Sequence, residues 1–195
     1  KTFNKMTSTI KDFQQIAAQN EKAVKAYLTL YFQEQLDKDE SDGDKMFAFK
    51  MSHTHLSNDF FAWVVENVYE LRSQTLLEVM GVKFSTKYVT YGKHCINDTH
   101  NRHIFECKFT RKGEKPLKIR FGQSINAGNT SPRAYDVLSC IQKYDVGSIE
   151  DFCREFGYDI HESTTKRIYK AVCKEYEGVD RFFNQAEIEL LQNIW

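Results

Sequence analysis

Apolar residues recur at close to a helical interval from Thr9 to Leu36, at Ile10, Phe13, Ile16, Ala17, Val24, Tyr27, Leu28, Tyr31 and Leu36. That spacing predicts one long amphipathic helix, or two. The stretch Asp37-Lys38-Asp39-Glu40-Ser41-Asp42-Gly43-Asp44 has no apolar residue and is rich in turn formers, so an exposed acidic loop is expected there. It is a poor calcium loop, because Met51 or Ser52 stands where the closing glutamate would be needed. Asn58 or Ser57 can cap a second helix running to about Ser73, with Phe60, Phe61, Val64, Val65, Val68 and Leu71 packed on the first. His53 and His55 precede it and read as surface residues.

From Val82 the pattern changes to alternation. Val82, Phe84 and Tyr88 against Lys83, Ser85 and Lys87 predict one strand. A second places His103, Phe105, Cys107 and Phe109 on one face and Ile104, Glu106, Lys108 and Thr110 on the other; a third sets Leu117, Ile119 and Phe121 against Lys118 and Arg120. Burying both apolar rows together requires Phe109 opposite Leu117, Cys107 opposite Ile119 and Phe105 opposite Phe121. This leaves Lys112-Gly113-Glu114 as a three-residue loop closed by a left-handed glycine. It also sets Glu106 opposite Arg120, and Lys108 opposite Lys118, on the outer face.

Beyond Phe121 the pattern is helical. Ser131 and Pro132 suit a helix start ahead of Ala134, Val137, Leu138 and Ile141. Ser148-Ile149-Glu150-Asp151 has the form of a capping box before Ile149, Phe152, Cys153 and Phe156, and Gly157 ends that helix. A third stripe is Ile168, Tyr169, Val172, Cys173 and Tyr176; a fourth helix, opened by Asn184-Gln185-Ala186-Glu187, carries Ile188, Leu191 and Trp195. The expected class is α+β: a small three-stranded antiparallel sheet with C-terminal helices, preceded by an N-terminal helical pair. The expected domains are a helical region over 1–80 and an α+β domain over 81–195, with its sheet in 82–125 and its helices in 132–195.

Composition adds bounds. With 195 residues, 41% hydrophobic and 14% aromatic, the chain can bury a core of its own. Its longest apolar run, Phe60 to Val65, is far shorter than the roughly 18 residues of a membrane span. No leader pattern is evident, and five cysteines scattered among apolar positions read as reduced thiols, so a cytoplasmic protein is expected. The 27 basic and 27 acidic residues cancel, yet Lys83 to Arg120 holds ten Lys or Arg against three Asp or Glu, a net +7. Two readings of that segregation stand side by side. One is a solvated face whose lysines discourage edge pairing. The other is a surface for nucleic-acid phosphate or an acidic protein patch, built from Lys83, Lys87, Lys93, Lys108, Lys112, Lys115, Lys118 and Arg120. Tyr88 and Tyr91 alone offer too few rings for a stacking platform.

Candidate chemistry is sparse. His94, Cys95, His100, His103 and Cys107 fall within fourteen residues, but no C-x-x-C is present and the strand register sends Cys107 into an apolar face. Cys140, Cys153 and Cys173 lie on apolar helical stripes, where cysteine is usually a small hydrophobe. No metal, cofactor or catalytic role is expected.

The run Phe121-Gly122-x-Ser124-Ile125, Ser131-Pro132-x-Ala134-Tyr135-Asp136-Val137-Leu138-x-Cys140, Lys143-Tyr144-Asp145-x-Gly147, Glu150-Asp151-Phe152-Cys153 and Glu155-Phe156-Gly157-Tyr158-Asp159 resembles a pattern in small uncharacterised accessory proteins of bacteriophages and other bacterial mobile elements. A weaker likeness continues through Ile168-Tyr169-x-Ala171-Val172-Cys173-x-Glu175. The resemblance covers roughly the last 60 to 75 residues, brings no catalytic residues, and leaves Lys1 to about Tyr91 unmatched. It implies a setting in which inhibitors of host defence, anti-CRISPR proteins among them, are common. The leading expectation is therefore a stoichiometric protein-binding inhibitor of a host defence nuclease such as a CRISPR effector, with or without its guide RNA, acting in the bacterial cytoplasm. The alternative is a nucleic-acid-binding module, RNA-binding included, using the basic sheet face.

Overall fold

The computed structural model of the protein describes residues 12–37, 41–94, 99–127, 130–141 and 148–193, and the chain divides into two compact units, Lys1–Met80 and Gly81–Trp195. Trp195, the Lys143 to Gly147 motif, and the side chains of Phe156 and Tyr176, all singled out from the sequence, lie outside what is described.

In the first unit the long periodic stretch divides into α1 (12–19) and α2 (Glu21–Asp37) at a turn on Asn20. There the side-chain amide of Asn20 donates to the Ile16 carbonyl at 2.8 Å, competing with the helical backbone for its acceptors. The expected acidic loop is corrected from Ser41 onward, because Ser41–Ser52 is a helix, α3. Gly43 weakens a helix by about 1 kcal/mol, but packing compensates. Phe49 of α3 lies 6.1 Å from the Tyr27 ring and 6.0 Å from that of Phe61. Residues 38–40 of that stretch lie outside the description.

The second expected helix also divides, into α4 (Asn58–Asn67) and α5 (Tyr69–Val79), at Val68 (φ −92°, ψ 60°). Ser57 caps α4, its hydroxyl accepting from the Phe60 N–H at 3.1 Å. The break frees the Val65 carbonyl, and the buried Arg72 guanidinium donates to it. The unit's core is Val24, Leu28, Phe32, Phe60, Phe61, Val64, Leu76 and Leu77, with Tyr27 stacked 4.4 Å from Phe61. His53 stacks on Phe49 at 4.2 Å, and His55 is exposed.

The second unit is α+β. Strands β1 (Lys83–Gly92), β2 (Arg102–Thr110) and β3 (Leu117–Gln123) form an antiparallel sheet in the order β1-β2-β3. The β2–β3 register is the one derived from the two apolar rows: Phe105 faces Phe121, Cys107 faces Ile119, and Phe109 faces Leu117. The connection is longer than the three residues expected. The ladder stops at Phe109 and Leu117, so residues 111–116 link the strands; Pro116 has no N–H to continue the ladder, and Arg111 is drawn to Glu187 instead. Gly113 takes the left-handed conformation, φ +84°.

Four helices follow a short 3-10 turn at Ile125–Ala127: α6 (Ala134–Ile141), α7 (Ile149–Phe156), α8 (Ser163–Phe182) and α9 (Gln185–Asn193). The α6 start is corrected by two residues. Pro132 is buried ahead of the helix, and the Arg133 N–H, rather than Ser131, is tied to the first turn through the Asp136 carboxylate at 3.0 Å. Ser148 and Asp151 form a reciprocal capping box on α7, and Gly157 closes it at φ +70°. Phe152 and Cys153 pack with Ile168, Tyr169, Val172 and Cys173 of α8. Farther along, α8 lies against β3 so closely that a Cβ on Gly178 would meet the Leu117 side chain at 3.1 Å. Val179, Phe182 and Phe183 complete this core with Phe105, Cys107, Phe109 and Ile119.

Candidate functional site

The outer face of the sheet gathers five of the eight basic residues singled out from the sequence. Strand pairing sets Ser85, Lys108 and Lys118 in one row and Lys87, Glu106 and Arg120 in the next, with Lys83 beside Thr110. Lys83, Lys87, Lys118 and Arg120 are exposed and Lys108 is partly so. Lys112 and Lys115 are exposed in the 111–116 connection, and Lys93 follows β1. The remaining arginines of the basic segment do other work: Arg111 joins Glu187, and the Arg102 side chain closes on Gly122.

Glu106 is the single acid among these face positions. It stands opposite Arg120, but its carboxylate accepts from Lys118 Nζ at 3.3 Å. The diagonal pair also draws the Lys118 ammonium toward a counter-charge beside Lys108. As an exposed pair it contributes at most about 1 kcal/mol. The Arg120 backbone is fixed at the sheet edge, its N–H donated to Glu175 of α8 at 3.4 Å and its carbonyl 3.2 Å from His94 Nε2. Burial raises the Glu175 carboxyl above its ordinary value, partly opposed by the contact with Arg120.

One outer-face expectation is corrected. Ile104 is 0% exposed. Its register partner is Gly122, over which the His94 ring and Arg102 close so tightly that an added Cβ would meet ring carbons at 2.9 Å. The basic face therefore ends at the Glu106 row.

The histidine and cysteine constellation is not brought together. His94 lies over Gly122, His103 and Cys107 point to the opposite face, His100 is exposed, and Cys95 is outside the described residues. No group of three or more His, Cys, Asp or Glu that could hold a metal occurs among the described residues. Cys107 is fully buried, and burial, with smaller effects from Cys140 and Glu106, pushes its thiol up to about 12, so it holds its proton at neutral pH.

Tyr88 and Tyr91, too few rings by themselves for a stacking platform, meet His103 and Phe105 on the inner face at the end of the sheet, a grouping the strand pattern does not show. The Tyr91 ring lies 5.1 Å from His103, and Tyr88 lies 6.0 Å from His103 and 5.5 Å from Phe105. In a regular strand Tyr88 and Tyr91, three residues apart, would point to opposite faces. A bulge at Val89 shifts the register between Tyr88 and Thr90 and turns both inward.

Comparison of the chain with protein-family models, curated proteins and solved structures finds no match. No helix among the described residues is long and apolar enough to cross a membrane.

Proposed function

We propose that the protein is an accessory protein of a phage or mobile element that acts by stoichiometric binding, inhibiting a host defence nuclease such as a CRISPR effector through contact with an anionic surface of that nuclease or of its guide RNA. The observation that carries the reading is the outer sheet face, where Lys83, Lys87, Lys108, Lys118 and Arg120 surround one glutamate in a chain whose total charge is zero. Segregation of this kind steers a partner of opposite sign and raises the rate of encounter. The resemblance of the C-terminal region to mobile-element proteins supports the inhibitory role. Capture of partners from bacterial lysate carrying defence systems, with and without nuclease treatment, tests it. A one-to-one complex with a nuclease that loses activity is the expected result; recovery of nothing but bulk nucleic acid would overturn it.

A further inference from the structure

We propose that the free edge of β1 binds an extended polypeptide segment in which acidic and apolar residues alternate, added antiparallel as a fourth strand of the sheet. The direction of the edge backbone follows from the strand pairing. Directly opposed residues of an antiparallel ladder alternate between exchanging both hydrogen bonds and exchanging none. Arg120 donates its N–H to Glu175 at 3.4 Å and its carbonyl lies 3.2 Å from His94 Nε2, so its pair with Glu106 is of the second kind. Glu106 therefore turns its own N–H and carbonyl toward Lys87 of β1. By the same alternation Lys83 and Ser85 also bond to β2, and the Thr110 hydroxyl donates to the Lys83 carbonyl at 3.5 Å. Phe84, Thr86 and Tyr88 turn their backbone groups outward. Among the described residues of the second unit, no element runs along that edge.

The side chains beside the edge select the occupant. The pairing with β2 is unbroken from Lys83 to Tyr88, the bulge at Val89 lying beyond it. On the outer face Lys83 and Lys87 are exposed, and Lys108 stands next to Ser85. On the inner face Phe84 and Thr86 are partly exposed and Tyr88 is 41% exposed. A strand laid on this edge sets its side chains alternately beside the lysines and beside Phe84, Thr86 and Tyr88. Carboxylates on one side and apolar groups on the other complement both rows, while main-chain bonds hold the segment to the sheet. A second copy is a worse fit. Pairing β1 with itself about Ser85 opposes Lys83 to Lys87, about Lys87 opposes that lysine to itself, and about Thr86 adds Lys87 to the row of Ser85, Lys108 and Lys118.

This inference rests on the backbone of β1 and not on the inhibitory reading, although the two share Lys83 and Lys87. Amide hydrogen exchange of the full chain, followed by NMR, tests it with an end-blocked peptide of about seven residues alternating glutamate and valine, close to an ordinary strand length. In the chain alone the amides of Phe84, Thr86 and Tyr88 should exchange faster than those of Ser85 and Lys87, and the peptide should protect them. Opposed residues share a face, so the valines exchange hydrogen bonds with Phe84, Thr86 and Tyr88 while the glutamate N–H groups point away. N-methylation of the valines should therefore weaken binding at least about tenfold, and N-methylation of the glutamates should weaken it far less. Thr86→Pro removes one outward N–H and spares the ladder with β2, so it should fold and lose the peptide. Absence of protection, equal binding of the valine-methylated peptide or of one with lysine for glutamate, or edge amides already protected in a dimeric chain would overturn the proposal. Thr86→Pro retains every outer-face cation, so peptide binding lost with nuclease capture intact separates this edge from the inhibitory contact.

Discussion

The guanidinium of Arg111 donates two hydrogen bonds to the Glu187 carboxylate, at 2.8 and 2.9 Å, and so ties the β2–β3 connection to the first turn of α9. The same carboxylate accepts the Asn184 N–H at 2.9 Å while the Asn184 side chain accepts the Glu187 N–H at 3.0 Å. One acidic residue thus completes a helix cap and anchors a hairpin. Glu187→Ala is expected to cost about 3 kcal/mol, the lower end for breaking a buried pair because Arg111 keeps some solvent contact. Glu187→Gln should cost less, since its amide oxygen can still complete the cap. Urea denaturation of both variants measures the difference; an unchanged midpoint in Glu187→Ala would show the bridge to be energetically idle.

Phe109 is fully buried, 5.0 Å from the Phe84 ring and 6.1 Å from that of Phe183. Phe109→Ala is expected to cost about 3 to 5 kcal/mol as a large-to-small core change. Thermal stability equal to that of the unchanged chain would refute the packing of the sheet on the C-terminal helices.

Glu175 supplies a pH dependence whose sign follows from its raised carboxyl. The folded state holds the Glu175 proton more tightly than the unfolded chain does, so this group's contribution to stability is fully present below the ordinary value of 4.5 and is lost as pH rises through the raised one. Glu175→Gln removes the cost of ionising a buried carboxylate and keeps an oxygen for the Arg120 N–H. Its melting temperature at neutral pH should therefore exceed that of the unchanged chain, with the gap narrowing toward pH 4. A gap that widened on acidification would reverse the assignment.

The outer face is tested by charge reversal. Lys108→Glu, Lys118→Glu and Arg120→Glu together should abolish capture of an anionic partner and leave the melting temperature within a few degrees, because outward strand positions contribute little to the core. Since Glu106 pairs with Lys118, Glu106→Lys combined with Lys118→Glu swaps that pair and should retain both fold and capture. Full capture by the triple variant would move the contact surface elsewhere.

Thiol chemistry offers a last check. With its thiol pushed up to about 12 and fully buried, Cys107 should react with a thiol reagent only as fast as the unit unfolds, while the partly buried Cys140 and Cys173 react sooner. Excess chelator should leave the melting curve unchanged; a shift would point to a bound metal.

Signals acting over a few residues were legible in the chain itself. Ser57, the Ser148–Asp151 box, Gly157 and the Asn184–Glu187 pair each satisfy backbone groups within one helical turn, so their identities determine where helices begin or end. The β2–β3 register was equally legible, because a one-residue slip would have turned Phe105, Cys107 and Phe109 out to water. What the chain left open were contests between local preference and distant contact. Packing of Phe49 on Tyr27 and Phe61 decided that a stretch containing Gly43 is helical, and a turn on Asn20 and a break at Val68 each divided a periodic run in two. Closure of His94 over Gly122 accompanies the burial of Ile104 on a face that alternation assigned to solvent. The bulge at Val89 belongs with these. It moves one residue out of register, and that alone places Tyr88 and Tyr91 on one face beside His103, a relationship that exists only once β1 and β2 are paired.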